Sequence, residues 1–159
     1  MEKIYDLAII GSGMAGLSAS ICSASEGFST VILESNVNFG GQAGTASLIE
    51  NLIGFPEGIS GIELTRRAIE QANKFNVKFQ SPFNVISFER ENGVFSLCSD
   101  AGDVVNSKTI LLAMGVSYKR LETENIDRYL GMGAYYGSPS LSETICNSSV
   151  TVVGGANSA

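Results

Sequence analysis

The chain of 159 residues predicts an α/β fold, in which a parallel sheet is joined to an antiparallel meander of strands. Two segments predict the parallel part, because residues 4–16 and 150–159 each run from an apolar strand directly into closely spaced glycines. The pair Asn92-Gly93 predicts the meander, since it joins two strand-like segments and favours a hairpin turn. No helix follows the second glycine run, so we expect an incomplete fold that stops inside a domain.

The first glycine run predicts a site for the pyrophosphate of a dinucleotide. Residues 4–10 are nearly all apolar, as in a parallel strand that is covered on both faces, and we expect a helix over residues 14–26. Gly11 allows a tight turn, Gly13 lets the backbone approach a phosphate, and Gly16 lets the helix lie close to the strand. The amides at the helix start then stabilise the anion. The candidate cofactor-binding residues here are Gly11, Ser12, Gly13, Met14, Ala15 and Gly16.

An acidic residue at the end of the second predicted strand supports this interpretation. The strand covers residues 30–34, and its last residue, Glu34, comes 18 residues after Gly16. A carboxylate at this place is suited to accept hydrogen bonds from a ribose diol, and Ser35 beside it is a further candidate. The alternative is a glycine-rich helix entry in which Glu34 is merely solvated.

The middle of the chain predicts one helix and the meander. Ser60 and Glu63 have the spacing of a capping box at the start of a helix over residues 61–75. Apolar residues at helical spacing predict its buried stripe, and three basic residues predict a solvated face. These are Leu64, Ala68, Ala72 and Phe75 for the stripe, and Arg66, Arg67 and Lys74 for the solvated face. We expect strands over residues 83–91 and 94–99, and a returning strand over residues 108–114 that ends at Gly115.

The segment after Glu34 resembles the flavin loop of the thioredoxin reductase family, whose members carry a GGQ and an EN-x-PG-like segment. Here these elements read Gly40-Gly41-Gln42 and, from Glu50 to Pro56, ENLIGFP. The resemblance implies an FAD/NAD(P)-binding Rossmann-like fold in which Gly41, Gln42 and Asn51 lie along FAD, and in which the segment that ends at Gly115 closes over the dinucleotide. Met114 stands where the family usually has threonine.

The same resemblance implies a domain order and a second cofactor. Residues 1–115 would form the first part of the FAD domain, and residues 116–159 the start of an NAD(P) domain that is truncated here. Segments 115–121 and 131–136 would serve as connecting strands or hinges. The strand over residues 150–153 leads to the second glycine run, where Ala156 replaces a glycine of the family pattern. The candidate residues for NADPH or NADH are Gly154, Gly155, Asn157 and Ser158.

The redox sulfur of the family is missing from this sequence. Members that reduce thioredoxin carry Cys-x-x-Cys just before the second glycine run, where this chain has Gly137-Ser138-Pro139-Ser140. We expect Cys22, Cys98 and Cys146 to be buried or partly buried small apolar side chains. Tyr135 and Tyr136 precede the position of the missing thiols, and we favour packing over a role at the flavin. Without histidine or paired cysteines we assign no metal ligand, and we assign no catalytic residue.

The resemblance implies an FAD-dependent NAD(P)H oxidoreductase that passes electrons to a small redox protein or a small-molecule acceptor. Three alternatives stay open: a ferredoxin or flavodoxin reductase of the same type, a flavin-binding module without turnover, and a simple NAD-binding dehydrogenase domain. The net charge of −6 argues against binding nucleic acid, and no apolar run nears 18 residues, so we expect no membrane span. No secretory signal is visible, so we expect a cytoplasmic protein, and a homodimer at full length.

Overall fold

The computed structural model describes residues 3–136 and 149–154. The chain divides into two compact units, Met1–Gly115 and Val116–Ala159. Of the helices and strands that the described residues form, the first unit holds all except one short 3₁₀ helix, Ile126–Tyr129, which belongs to the second. The assignment of the two units to an FAD and an NAD(P) domain stays a prediction.

The first unit is built on one six-stranded sheet, which confirms the predicted fold class. Its order is β3-β2-β1-β6-β5-β4. The strands are β1 Ile4–Ile10, β2 Thr30–Leu33, β3 Lys78–Gln80, β4 Val85–Glu91, β5 Val94–Ser99 and β6 Val104–Leu112, and the helices are α1 Met14–Ser25 and α2 Gly61–Lys74. None of the helices formed by the described residues is long and apolar enough to cross a membrane.

The parallel half of the sheet places β1 between β2 and β6. Successive side chains of β1 enter different apolar clusters, because strand residues alternate between the two faces of a sheet. Ala8 belongs to the cluster that includes the meander, and Ile9 to the cluster covered by α1 and α2. The first cluster contains Tyr5, Ala8, Val31, Leu33, Phe83, Leu97 and Val105, and the second contains Ile9, Leu17, Ile32, Ala72 and Val77.

Strand β6 connects the meander to the parallel strands. Its first residues pair antiparallel with β5, and from Asn106 to Leu112 it pairs parallel with β1. The predicted strand over residues 108–114 was therefore wrong at both ends, since the strand begins at Val104 and ends at Leu112. Residues 104–107, which the prediction left out, are extended because they pair with β5, and pairing with β1 begins at Asn106; the local sequence does not reveal these partners.

The hairpin and the α2 helix agree with their predictions in most respects. Asn92 and Gly93 both have positive φ, +49° and +83°, as the predicted turn between β4 and β5 requires. Ser60 caps α2, because its Oγ accepts a hydrogen bond of 3.3 Å from the Glu63 amide. The Glu63 carboxylate, however, pairs with the exposed side chains of Arg66 and Arg67. Only the serine half of the capping box is therefore observed, and the solvated basic face is confirmed.

Two further elements differ from expectation. Strand β3 was missed, since it has three residues and extends the sheet by pairing parallel with β2. The strand expected over residues 150–153 is wrong, because these residues have no regular secondary structure. A strand needs a pairing partner, and none is found for this segment in the described part of the chain. The segments 115–121 and 131–136 also contain no strand, apart from an isolated bridge between Leu130 and Ala134.

Candidate dinucleotide-binding site

At two positions of the glycine turn after β1, neighbouring backbone atoms lie too close to leave room for a side chain. Gly11 has a φ of +103°, and a Cβ there would collide with the carbonyl group of Ala113. A Cβ on Gly16 would collide with the Gly11 carbonyl oxygen. The Ala113 amide also donates to the Ile10 carbonyl at 2.9 Å, so the end of β6 lies directly beside the turn. Gly11 and Gly16 are thus required by packing, as the sequence predicted.

Gly13 differs from these two glycines, because the space beside it is open. A Cβ on Gly13 would meet no atom within 4 Å among the described residues. Gly13 is the N-cap of α1, no described side chain caps the helix, and its first turn contains no acidic residue. The start of α1 therefore has open space beside Gly13 and no acidic side chain of its own, and the positive end of the helix dipole favours an anion such as a phosphate group there. Met14 and Ala15 form the start of α1, Met14 packed against the core and Ala15 exposed.

Ser12 and Glu34 are joined by two short hydrogen bonds beneath this turn. Glu34 Oε2 accepts from the Ser12 amide at 2.9 Å and from Ser12 Oγ at 2.6 Å. Both residues are buried, Ser12 completely and Glu34 with 7 % of its surface exposed. The Ser12 side chain consequently contacts the carboxylate that follows β2. The Ser12 backbone carbonyl accepts a hydrogen bond of 3.0 Å from the Gly40 amide. Ser12 holds three loops together.

The other carboxylate oxygen of Glu34 is bound by its own neighbours in the sequence. Oε1 accepts from the Asn36 amide at 2.9 Å, from Asn36 Nδ2 at 3.1 Å and from Ser35 Oγ at 3.3 Å. Burial by itself raises the pKa of the Glu34 carboxyl group, but the hydrogen bonds from Ser12 and Asn36 outweigh it and lower the pKa below the ordinary 4.5. The site therefore keeps a buried anion beside the glycine turn.

The segment of residues 39–46, here called the GGQ loop, lies against the glycine turn. Gly41 has a φ of +55°, and a Cβ on it would lie 3.2 Å from Gly13 Cα. Residues Gly41–Thr45 form a 3₁₀ helix that the sequence did not predict. Gln42 is exposed in this helix. The predicted flavin residue Gly41 is therefore brought beside the open space at Gly13.

The remaining predicted site residues lie further along the chain. Asn51 is exposed in a loop whose ends are joined by two hydrogen bonds, of 2.8 and 3.0 Å, between Ile49 and Ile59. Gly115, with a φ of +71°, closely follows Ala113 at the turn. Gly154 is exposed and has a φ of +118°. The predicted residues Gly155, Asn157 and Ser158 lie outside the described residues, as do Ala156 and the segment of residues 137–140.

The structure describes two of the three cysteines, and it describes both Tyr135 and Tyr136. Cys22 is exposed, so its predicted burial was wrong, because it lies on the outer face of α1. Cys98 is partly buried as predicted, and Cys146 lies outside the described residues. Within the described ranges no group of acidic or cysteine side chains could hold a metal ion. Tyr136 Oη accepts from the Leu121 amide at 2.8 Å, and Tyr135 Oη donates to a backbone carbonyl, so both side chains have partners.

Sequence reasoning missed two residues of the site. Asn36 binds the Glu34 carboxylate, and an asparagine two positions after a strand-ending glutamate is a signal that could have indicated it. Thr65 is buried on α2 beneath the GGQ loop, although the predicted stripe of this helix runs through Leu64. Its sequence neighbours carry no signal for this contact.

A glycine turn between a strand and a helix, a buried acid after β2 and a parallel sheet that continues into a meander together define an α/β protein of the Rossmann-like class. The family described as pyridine nucleotide-disulphide oxidoreductase matches residues 5–159, and the chain belongs to this family. Its relatives include the thioredoxin reductase of Treponema pallidum (strain Nichols), 29% identical over 159 residues, which are 100% of this chain and 51% of that protein. The bifunctional thioredoxin reductase/thioredoxin of Mycobacterium leprae (strain TN) is 29% identical over 99% of this chain and 34% of that protein.

A solved structure of a thioredoxin reductase shows the same family relationship. The crystal structure of T. acidophilum thioredoxin reductase is similar with a TM-score of 0.73 and 32% identity, covering 83% of this chain and 42% of that chain. These comparisons confirm the predicted family and its Rossmann-like fold. The chain spans about half the length, or less, of the relatives that it matches.

Proposed function

We propose that the whole protein is an FAD-dependent oxidoreductase that takes electrons from NADPH or NADH. It passes them to an acceptor without using the Cys-x-x-Cys thiol pair of the thioredoxin-reducing members. The observation that carries this proposal is the open space at Gly13, which lies at the start of α1 and beside Gly41 of the GGQ loop, one residue after the Ser12 that binds the Glu34 carboxylate. The family membership supports the reaction class. FAD, when bound, supplies the acceptance of a hydride and the release of electrons.

The residues of this chain bind and orient the cofactor. The amides at the start of α1 would hold the pyrophosphate beside Gly13, where a side-chain Cβ would meet no described atom. Gly41 and Gln42 would lie along the flavin end, and Asn51 would offer its amide from the next loop. Gly154 and the residues that follow it would bind the nicotinamide dinucleotide.

The adenosine ribose would meet Glu34 at Oε1. Oε2 is buried against Ser12, and its two bonds, of 2.9 and 2.6 Å, hold the backbone of the glycine turn. The bonds from Asn36 Nδ2 and Ser35 Oγ to Oε1 are longer and come from exposed side chains that can turn into solvent. A carboxylate accepts about four hydrogen bonds, so ribose hydroxyls would replace these two donors.

The acceptor is proposed to be a small redox protein or a small molecule. Residues 137–140 read Gly-Ser-Pro-Ser, so the chain lacks the thiol pair through which electrons leave in members that reduce thioredoxin. This observation favours, as a second candidate, a ferredoxin or flavodoxin reductase of the same type. We also propose a cytoplasmic homodimer that acts without nucleic acid or membrane.

The test uses the whole protein, purified and followed by its visible absorbance without oxygen. The proposal predicts a flavin spectrum that bleaches when NADPH or NADH is added. Recovery of the spectrum with thioredoxin, with ferredoxin or flavodoxin, or with quinones then identifies the acceptor class. A flavin that stays oxidised with both nucleotides would contradict the oxidoreductase and leave a flavin-binding module. A protein that carries no flavin would contradict the whole proposal.

A further inference from the structure

The first turn of α2 packs directly beneath the GGQ loop. The Gly61 amide donates to the Ala46 carbonyl at 2.8 Å, and a Cβ on Gly61 would collide with the Ala43 carbonyl oxygen. Thr65 comes one turn later on the same helix and is 7 % exposed. A Cβ on Gly40 would collide with the Thr65 hydroxyl oxygen. Thr65 thus fills the space that a side chain at position 40 would need.

The Thr65 hydroxyl group is buried and has no hydrogen-bond partner among the described residues. Buried hydroxyl groups in folded proteins nearly always have a partner, because burial without one costs free energy. Thr65 Oγ1 lies 3.4 Å from the point where a Cβ on Gly44 would stand, and the Phe39 carbonyl oxygen lies 3.3 Å from that same point. A donor and an acceptor therefore approach one place beneath the loop.

Thr65 and the open space at Gly13 lie against different residues of the same loop. Gly40 faces Thr65, whereas Gly41 faces Gly13. Gly40 and Gly41 are consecutive residues, so a movement of the loop changes both contacts together; the Gly40 amide also joins the loop to the glycine turn by donating to the Ser12 carbonyl at 3.0 Å.

We propose that Thr65 is a positioning residue for the GGQ loop, whose hydroxyl group donates to the Phe39 carbonyl when the loop closes on FAD. This inference rests on the proposed function, since it assumes that FAD is the ligand of the site. It assigns to Thr65 no contact with the cofactor. The hydrogen bond forms in the FAD-bound state and is absent in the structure described here.

The test measures FAD affinity of the whole apoprotein by quenching of flavin fluorescence, and thermal stability of the same apoprotein. Thr65→Val keeps the shape of the side chain but removes the hydroxyl group. We expect its FAD dissociation constant to rise about tenfold, which corresponds to about 1.4 kcal/mol. We expect no fall in the apoprotein melting temperature, since the hydroxyl group has no partner there. Thr65→Ser keeps the hydroxyl group and should bind FAD within about twofold of wild type.

A second variant tests the same hydrogen bond from the loop. Gly44→Ala places a methyl group between Phe39 and Thr65, and it should also weaken FAD binding. If both substitutions remove one bond, the double variant binds FAD no more weakly than the weaker single variant.

The inference would be overturned if Thr65→Val bound FAD like wild type, or if Thr65→Ser lost as much FAD affinity as Thr65→Val. It would also be overturned if Thr65→Val lowered the melting temperature of the apoprotein. Additive losses in the double variant would also overturn it. A wild-type apoprotein that takes up no FAD would instead contradict the proposed function.

Discussion

The buried carboxylate of Glu34 allows one prediction to be worked out from the structure. In Glu34→Gln, an amide NH₂ group replaces one of the two oxygens that accept backbone hydrogen bonds. Whichever way the amide is turned, its NH₂ group faces a backbone donor, at Ser12 on one side or at Asn36 on the other. The variant loses one charge-assisted bond, worth about 1.5–3 kcal/mol, and leaves one backbone N–H group, that of Ser12 or that of Asn36, without its acceptor. We therefore expect a loss of about 3 kcal/mol in the free energy of unfolding.

Urea denaturation of the 159-residue chain, followed by circular dichroism, measures this loss. The matched control is Glu57→Gln, because Glu57 is an exposed carboxylate in a loop of the same unit. Its effect should stay within about 0.5 kcal/mol. A Glu34→Gln variant as stable as the control would refute the role that we give to the Ser12–Glu34 contact.

Three further predictions follow from the same contacts. The folded-state pKa of Glu34 lies below 4.5, so its contribution to stability is present above pH 4.5 and is lost as the pH falls through the folded pKa. The difference in unfolding free energy between wild type and Glu34→Gln should therefore shrink below pH 4.5. A constant difference would contradict this. Gly13→Ala meets no neighbouring atom, so it should leave apoprotein stability within about 0.5 kcal/mol but weaken FAD binding at least about tenfold. Its control Gly16→Ala collides with backbone and should lower apoprotein stability as well, by about 1–3 kcal/mol, and equal behaviour of the two variants in urea denaturation would refute the distinction. Brief maleimide labelling followed by peptide mass mapping should modify the exposed Cys22 before the partly buried Cys98, and the reverse order would show that α1 packs differently.

Elements governed by local chemistry could be predicted from the sequence. The glycine turn follows from backbone sterics, because Gly11 needs a positive φ and Gly16 needs the space of a missing side chain. The hairpin at Asn92 follows for a similar reason, since positive φ is tolerated at both of its turn positions. The bounds of α1 and β2 were accordingly correct to within one residue.

Features that depend on contacts between distant segments could not be predicted. The Ser12–Glu34 pair joins residues 22 apart, and the dinucleotide pattern assigned the two residues to different parts of the cofactor. Strand β6 begins at Val104, four residues before the predicted start, because β5 pairs with its first residues. Thr65 is buried because the GGQ loop lies over α2, whereas Ile62 on the same helix is exposed. In each case tertiary packing outweighs the local hydrophobic pattern.

The most direct test of the central claim compares how the whole apoprotein binds FAD and riboflavin. The claim is that the amides beside Gly13 and the carboxylate of Glu34 hold the diphosphate and ribose of the dinucleotide. Riboflavin has the same ring system but neither of these groups. Equilibrium titration should therefore show FAD binding at least about 100-fold more tightly, since two charge-assisted hydrogen bonds are worth about 3 kcal/mol or more. Equal affinity for the two flavins, or binding of neither, would contradict the account.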